Sequence, residues 1–185
     1  LDLSRIEDRT FPRILRRQAL ENGATEFLLN DEMRLSFAEA DEITDRLASG
    51  LQSLGVVAGD RVGLFMGNRP EFVLLTLAIN KLGALWVPVN TDYKGEWLLD
   101  SVRRSRCKVF VTDTEYQARL LALRDQLDIP HWVLLADAGA AIPADMHSYT
   151  ELAAHERLVS DYSEQDYGDT CAILWTSGTT GKSKG

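Results

Sequence analysis

Ten consecutive residues carry most of the chemistry that this sequence offers: Thr176, Ser177, Gly178, Thr179, Thr180, Gly181, Lys182, Ser183, Lys184 and Gly185. Gly178 and Gly181 allow a tight turn and let backbone N–H groups approach a ligand. The hydroxyls of Thr176, Ser177, Thr179, Thr180 and Ser183 add donors, and Lys182 and Lys184 add positive charge. Such a donor set suits a polyanion, a nucleotide triphosphate above all. Gly/Ser/Thr-rich stretches also serve as flexible linkers, but here the stretch directly follows an apolar, strand-like run over 171–176. Two familiar phosphate motifs are excluded by spacing. A P-loop needs four residues between its first Gly and the Gly-Lys pair, which would put Gly at position 176, where Thr stands. No G-x-G-x-x-G follows a strand anywhere in the chain.

The string LWTSGTTGKSKG at 174–185 resembles the phosphate-binding motif of the adenylate-forming superfamily, which includes acyl-CoA synthetases, peptide-synthetase adenylation domains and luciferases. Thr176 to Gly181 match its TSGTTG, Lys182 falls on the variable position, Ser183 replaces a common Pro, and Lys184-Gly185 match the closing Lys-Gly. Residues 54–98, LGVVAGDRVGLFMGNRPEFVLLTLAINKLGALWVPVNTDYKGEWL, resemble the N-terminal region of the same superfamily, and NTDYKGE at 90–96 leans toward carnitine/crotonobetaine-type acyl-CoA ligases. The resemblance implies that Thr176 to Gly185 hold the phosphates of ATP, with Thr176 or Thr179 helping to order Mg²⁺. It implies that a carboxylic acid is activated as an acyl-adenylate with release of pyrophosphate, and then passed to the thiol of coenzyme A. It also implies that the adenine pocket, the acidic Mg²⁺ ligand, the acyl tunnel and the adenylation lysine lie beyond residue 185. Residues 1–185 are therefore expected to be the N-terminal subdomain of an AMP-binding domain, ending within its phosphate loop and inactive alone. The catalytic residues are unknown on this reading, and a homodimer is left open. An amino-acid adenylation domain, a non-catalytic half-ligase and a flavodoxin-like module with a polar tail are the competing readings.

The elements that must position the loop follow from periodicity. Residues 12–21 carry an amphipathic helical pattern, and 25–29 with 33–36 read as a small hairpin around Asn-Asp. Ser36 with Glu39 forms a capping box that opens a helix over 36–54, with Phe37, Ala40, Ile43, Leu47, Leu51 and Leu54 on its apolar face and Gly55 closing it. Strands at 61–66, 85–89, 109–112 and 132–135 then alternate with helices at 70–82, 95–105 and 115–127. The helix from Pro70 is apolar nearly all round, as expected between two layers. A surface loop over 136–144, a short helix at 149–155 and an acidic connector over 162–169 complete the chain. This alternation predicts an α/β fold: a mostly parallel, Rossmann/flavodoxin-like sheet with helices on both faces, part of a larger multi-subdomain fold. The loop at 176–185 would leave a strand's carboxyl end, where open α/β sheets bind ligands.

Composition narrows the classes of partner. Apolar residues make up 45% of the 185 and charged residues 26%, the balance of an ordinary globular protein. A net charge of −8 disfavours nucleic acid, whose binding rests on phosphate neutralisation. The longest apolar run, 72–79, is too short to span a bilayer, and no charged-then-apolar leader opens the chain, so the expected location is cytoplasmic. Cys107 and Cys171 each open an apolar run and read as reduced, buried thiols. His131, His147 and His155 form no metal motif. The basic cluster Arg103, Arg104, Arg106 and Lys108 reads as the solvated end of a helix. Trp86 and Trp97 read as core or interface packing rather than adenine platforms. Asp92, Tyr93 and Lys94 read as a turn, and Asn68 as a helix cap.

Overall fold

The computed structural model describes residues 4–31, 33–158, 160, 162 and 164–175. Helix α1 (Phe11–Glu21) precedes the hairpin of β1 (Glu26–Leu29) and β2 (Arg34–Ser36), and α2 (Phe37–Ser53) follows directly. The capping box forms as expected: Glu39 N–H donates to Ser36 Oγ at 3.3 Å, and the Glu39 carboxylate accepts from the Ser36 N–H at 2.8 Å. Gly55 closes the helix with φ 80°, a conformation that glycine adopts without a Cβ penalty.

The five strands that follow are β3 (Arg61–Phe65), β4 (Leu85–Pro88), β5 (Val109–Asp113), β6 (His131–Leu135) and β7 (His147–Ser148). They pair in the order β4-β3-β5-β6-β7, all parallel. Helices α3 (Pro70–Lys81), α4 (Gly95–Ser105), α5 (Gln117–Leu121) and α6 (Tyr149–Ala153) are the remaining α-helices among the described residues. Alternate strand residues feed two cores. Val62, Leu64, Val109, Val111 and Val133 pack with α1, α2, α3 and α6, whereas Phe110, Trp132 and Leu134 pack with α4 and α5. Both faces are therefore covered, as the apolar strands require.

Two features of the packing depend on glycine. A Cβ on Gly63 would overlap the Phe110 ring, which lies across β3 from the neighbouring β5. A Cβ on Gly50, in mid-α2, would come within 2.6 Å of the Leu152 carbonyl oxygen, so α6 sits directly on the helix there. Gly63→Ala is expected to destabilise the fold by about 1–3 kcal/mol through overpacking. Thermal melting checks this, and Phe110→Leu in the same chain should restore part of the loss.

The structure departs from the sequence reading at several places. The helix expected over 115–127 is broken into α5 and a 3₁₀ turn, Arg124–Gln126. There the Arg124 guanidinium reaches Asp145 at 2.5 Å and lies over the Trp132 ring at 5.4 Å, a tertiary pull that overrides propensity. Asn68 is not the cap of α3. Pro70 occupies the first helical turn and holds Arg69 extended, at φ −149° and ψ 159°, so Arg69 takes the cap position without a side-chain cap bond. Its guanidinium instead meets Glu71 at 2.9 Å. Trp97 is 57% exposed on α4 and is no core residue, whereas Trp86 is half-buried and packs edge-on against Phe72. The two-residue strand β7 is too short to show any alternation.

The largest departure is a buried charge cluster. Helix α2 buries Asp41, Thr44 and Asp45 as well as its apolar stripe, because α1, α3 and α6 all pack around it. The Lys81 side chain, fully buried, donates to Asp41 Oδ1 at 2.8 Å and to Asp45 Oδ1 at 2.5 Å. Arg16 and Arg157 also pair with both carboxylates. The Tyr162 hydroxyl donates to Asp45 Oδ1 at 3.2 Å and accepts from Arg16 Nη2 at 3.1 Å. The acidic connector is thus no loose linker at Tyr162, which is buried.

Candidate functional site

The ten residues that sequence analysis singles out, Thr176 to Gly185, lie outside the described residues. What the structure does describe is the segment that leads into them. Ala172 forms a parallel bridge with Trp86 of β4, on the strand that borders the sheet. The Trp86 N–H donates to the Cys171 carbonyl at 3.2 Å, and the Ile173 N–H donates to the Trp86 carbonyl at 3.1 Å. Among the described residues the expected strand over 171–176 therefore amounts to a single bridge rather than a regular strand. Its direction is nonetheless fixed: it runs parallel to β4 and leaves the sheet at the carboxyl end, the side on which α/β sheets bind ligands.

Side chains hold this lead-in from two directions. The Asn80 amide, at the end of α3, donates to the Cys171 carbonyl at 2.9 Å. On the other core, Trp175 packs against the α4 side of the sheet, with the Arg104 guanidinium 5.1 Å from its ring centre. Arg104 is itself oriented by Asp100 at 3.4 Å. The basic cluster thus divides. Arg104 meets the lead-in, Arg103 donates to the Gln126 carbonyl at 3.2 Å, and Lys108 pairs with Asp60 at 2.9 Å at the opposite end of the sheet. Arg106 closes α4 in the left-handed conformation, φ 49°.

The neighbouring strand ends at the carboxyl edge are internally satisfied. Asp113 accepts from the Gly67 N–H at 3.0 Å and the Tyr116 N–H at 3.1 Å, and Arg119 donates to the Thr91 carbonyl at 2.5 Å. Asp92 lies in the expected turn, its N–H bonded to Asn90 Oδ1 at 2.9 Å. These groups shape the rim of the sheet's carboxyl edge. Among the described residues no group of three or more His, Cys, Asp or Glu side chains could hold a metal ion. His131 Nδ1 does lie 3.3 Å from His147 Nε2, a pairing across β6 and β7 that sequence spacing does not reveal. Burial, then the neighbouring His147, holds the His131 ring below the usual imidazole range. Cys107 is buried, and burial pushes its thiol up to about 11, so it is a packing residue and no nucleophile. Cys171 is free and only half-buried. Among the described residues no helix is long and apolar enough to cross a membrane.

A five-stranded parallel sheet covered on both faces, with a further segment docked along its edge strand, defines an α/β protein. The sequence model of the AMP-binding enzyme family matches residues 15–185, and the chain belongs to that family. Its N-terminal portion is what the chain represents. It is 33% identical over 160 residues to crotonobetaine/carnitine–CoA ligases of Salmonella heidelberg and Salmonella typhimurium, covering 82% of this chain and 30% of theirs. The chain thus spans about 30% of the length of these relatives. In fold it is similar to an anthranilate CoA ligase, AuaEII, solved with anthranoyl-AMP (TM-score 0.86, 23% identity, 94% of this chain and 33% of that one). A Mycobacterium tuberculosis fatty acyl CoA synthetase is similar at a TM-score of 0.77 and 25% identity, covering 94% of this chain and 34% of that one. The expected sheet, helical layers and hairpin agree with these ligases' N-terminal regions.

Proposed function

We propose that residues 1–185 are the N-terminal subdomain of the AMP-binding domain of a cytoplasmic, ATP-dependent acyl-CoA ligase. The observation that carries this reading is the TSGTTG-x-x-KG sequence placed directly after a lead-in docked parallel to β4, at the sheet's carboxyl edge. On this reading a carboxylate oxygen of the substrate attacks the α-phosphorus of ATP, and the bond to the pyrophosphate oxygen breaks. Negative charge grows on the departing pyrophosphate. Backbone N–H groups and hydroxyls of Thr176, Ser177, Gly178, Thr179, Thr180 and Gly181, with the Lys184 ammonium, stabilise that charge in a preorganised setting. Lys182, Ser183 and Gly185 complete the loop. Mg²⁺ bound with the nucleotide neutralises phosphate charge, and the hydroxyl of Thr176 or Thr179 helps to order it. The coenzyme A thiol then attacks the acyl carbon of the adenylate, releasing AMP and leaving a thioester.

The substrate is a carboxylic acid, and the similarity to crotonobetaine/carnitine–CoA ligases puts small, carnitine-like acids first. Residues 1–185 alone are expected to complete neither half-reaction, since the matched stretch is only 30% of the relatives' length. ATP–pyrophosphate exchange in the full-length protein, over carnitine-like, fatty and aromatic acids, tests the reading. Acid-dependent exchange, followed by thioester formation only when coenzyme A is added, is the expected result. Exchange that depends on an amino acid and yields no coenzyme A thioester would point to an amino-acid adenylation domain instead.

A further inference from the structure

Asn80 stands out in the last turn of α3, where Leu74, Leu75, Ala78 and Ile79 are buried around it. It is 6% exposed, and a buried carboxamide is costly unless its donors are satisfied. Here Nδ2 donates to the Ala84 carbonyl at 3.1 Å and to the Cys171 carbonyl at 2.9 Å. One amide therefore links the residue that opens onto β4 to the residue that opens the lead-in. Among the described residues the lead-in's backbone makes just two hydrogen bonds to β4, both through Trp86. The Asn80 bond is thus a substantial part of what fixes Cys171. The next residue, Lys81, accepts from Gln165 Nε2 at 3.0 Å through its carbonyl. Two consecutive residues of α3 hold both ends of the stretch 165–171.

We propose that Asn80 is a positioning residue for the phosphate-binding loop. By anchoring the Cys171 carbonyl, five residues before Thr176, it sets the register and direction in which the chain enters 176–185. This inference rests on the reading of that loop as the MgATP phosphate site. Asn80 touches no reacting atom and acts through the backbone it holds. On that reading its influence is expected on nucleotide binding more than on the carboxylic acid, because the anchored segment leads into 176–185. A small displacement of preorganised donors is enough to weaken transition-state stabilisation substantially.

Asn80→Leu in the full-length protein tests the proposal, because Leu keeps the volume and suits an apolar helix but supplies no donor. Asn80→Ser is the second variant, and measurements below the melting transition are made on whichever is folded. The KM for MgATP in ATP–pyrophosphate exchange is expected to rise about tenfold, as one buried hydrogen bond is worth on the order of a factor of ten. The KM for the carboxylic acid should stay within about twofold. Hydrogen exchange at the Ile173 amide should quicken in parallel. Lys184→Ala serves as the control for the loop itself. If Lys184→Ala weakens MgATP use while the Asn80 variants leave it unchanged, the loop reading stands and the Asn80 proposal is overturned. If neither affects MgATP, the loop reading falls and takes this proposal with it. If both substrates' KM values rise together, Asn80 has only a general stabilising role and the proposal is likewise overturned.

Discussion

Replacing Lys184 by Ala in the full-length protein is expected to lower kcat/KM for MgATP by about 10²–10³-fold, the loss typical of removing one preorganised donor from a developing anion. Lys184 falls on the lysine of the phosphate motif, whereas Lys182 falls on its variable position. Lys182→Ala should therefore cost less than about threefold, a contribution of surface attraction only. The pair of substitutions separates two explanations. If phosphate binding were a matter of local positive charge, the two lysines would matter equally. If it depends on one ammonium held against the departing pyrophosphate, only Lys184 matters. Steady-state ATP–pyrophosphate exchange with the preferred acid reads the difference directly, and equal losses would sink the assignment of Lys184.

Asp45→Asn is expected to destabilise the fold by about 3–5 kcal/mol, the cost of breaking a buried charge cluster by removing one partner. The side chain is 1% exposed, and Lys81, Arg16, Arg157 and Tyr162 all bond to it. The substitution is nearly isosteric, so packing changes little and the loss reports charge. Lys81 is left with Asp41 as its sole carboxylate, surrounded by two guanidinium groups. Chemical denaturation of the parent and the variant measures the difference. Adding Lys81→Met to the Asp45→Asn variant should recover part of it, because the second substitution removes the charge that the first one stranded. Acid sensitivity follows from the same site. Burial pushes the Asp45 carboxyl upward, but hydrogen bonds and charge from Lys81, Arg157 and Arg16 override it and hold the group below the usual carboxylate range. Its contribution is therefore complete above the unfolded-state value of about 3.9 and is lost as pH falls through the lower folded value. Stability of the parent should drop below about pH 4, and this part of the drop should vanish in Asp45→Asn.

The sequence is informative wherever one element can be judged by its own period or caps. The Ser36/Glu39 box, Pro70 at the head of α3, Gly55 behind α2 and the apolar β3, β5 and β6 all carry their signals locally, and the structure forms them. It is less informative where a residue's meaning depends on a distant partner. Asp41 and Asp45 sit one turn apart on α2, and only the packing of α1, α3 and α6 around that helix buries them. A clue is nevertheless present. Lys81 ends a helix that is apolar nearly all round, and a lysine so placed requires a buried anion. Gly50 and Gly63 give no such clue, because each is defined by the atom that would strike its Cβ, the Leu152 backbone in one case and the Phe110 ring in the other. For the candidate site the imbalance is reversed. The loop's donor set is plain in its residue types, while the anchors of its lead-in, Asn80 and Arg104, come from helices about 90 and 70 residues earlier.

The charge cluster also orders events in time. Its members reach from Arg16 to Tyr162, with Asp45 bonded to partners up to 117 positions away. A ribosome releasing the chain from its N-terminus sets Asp41 and Asp45 free long before Arg157 and Tyr162 exist to meet them. Helices α1, α2 and α3 can gather early, with Arg16 and Lys81 already in hand, but the connector can dock only after residue 162 has emerged. Closing so long a loop is slow compared with forming the helices themselves. The segment 165–175 is therefore laid down after the helices that hold it, on a layer that is already assembled to receive it.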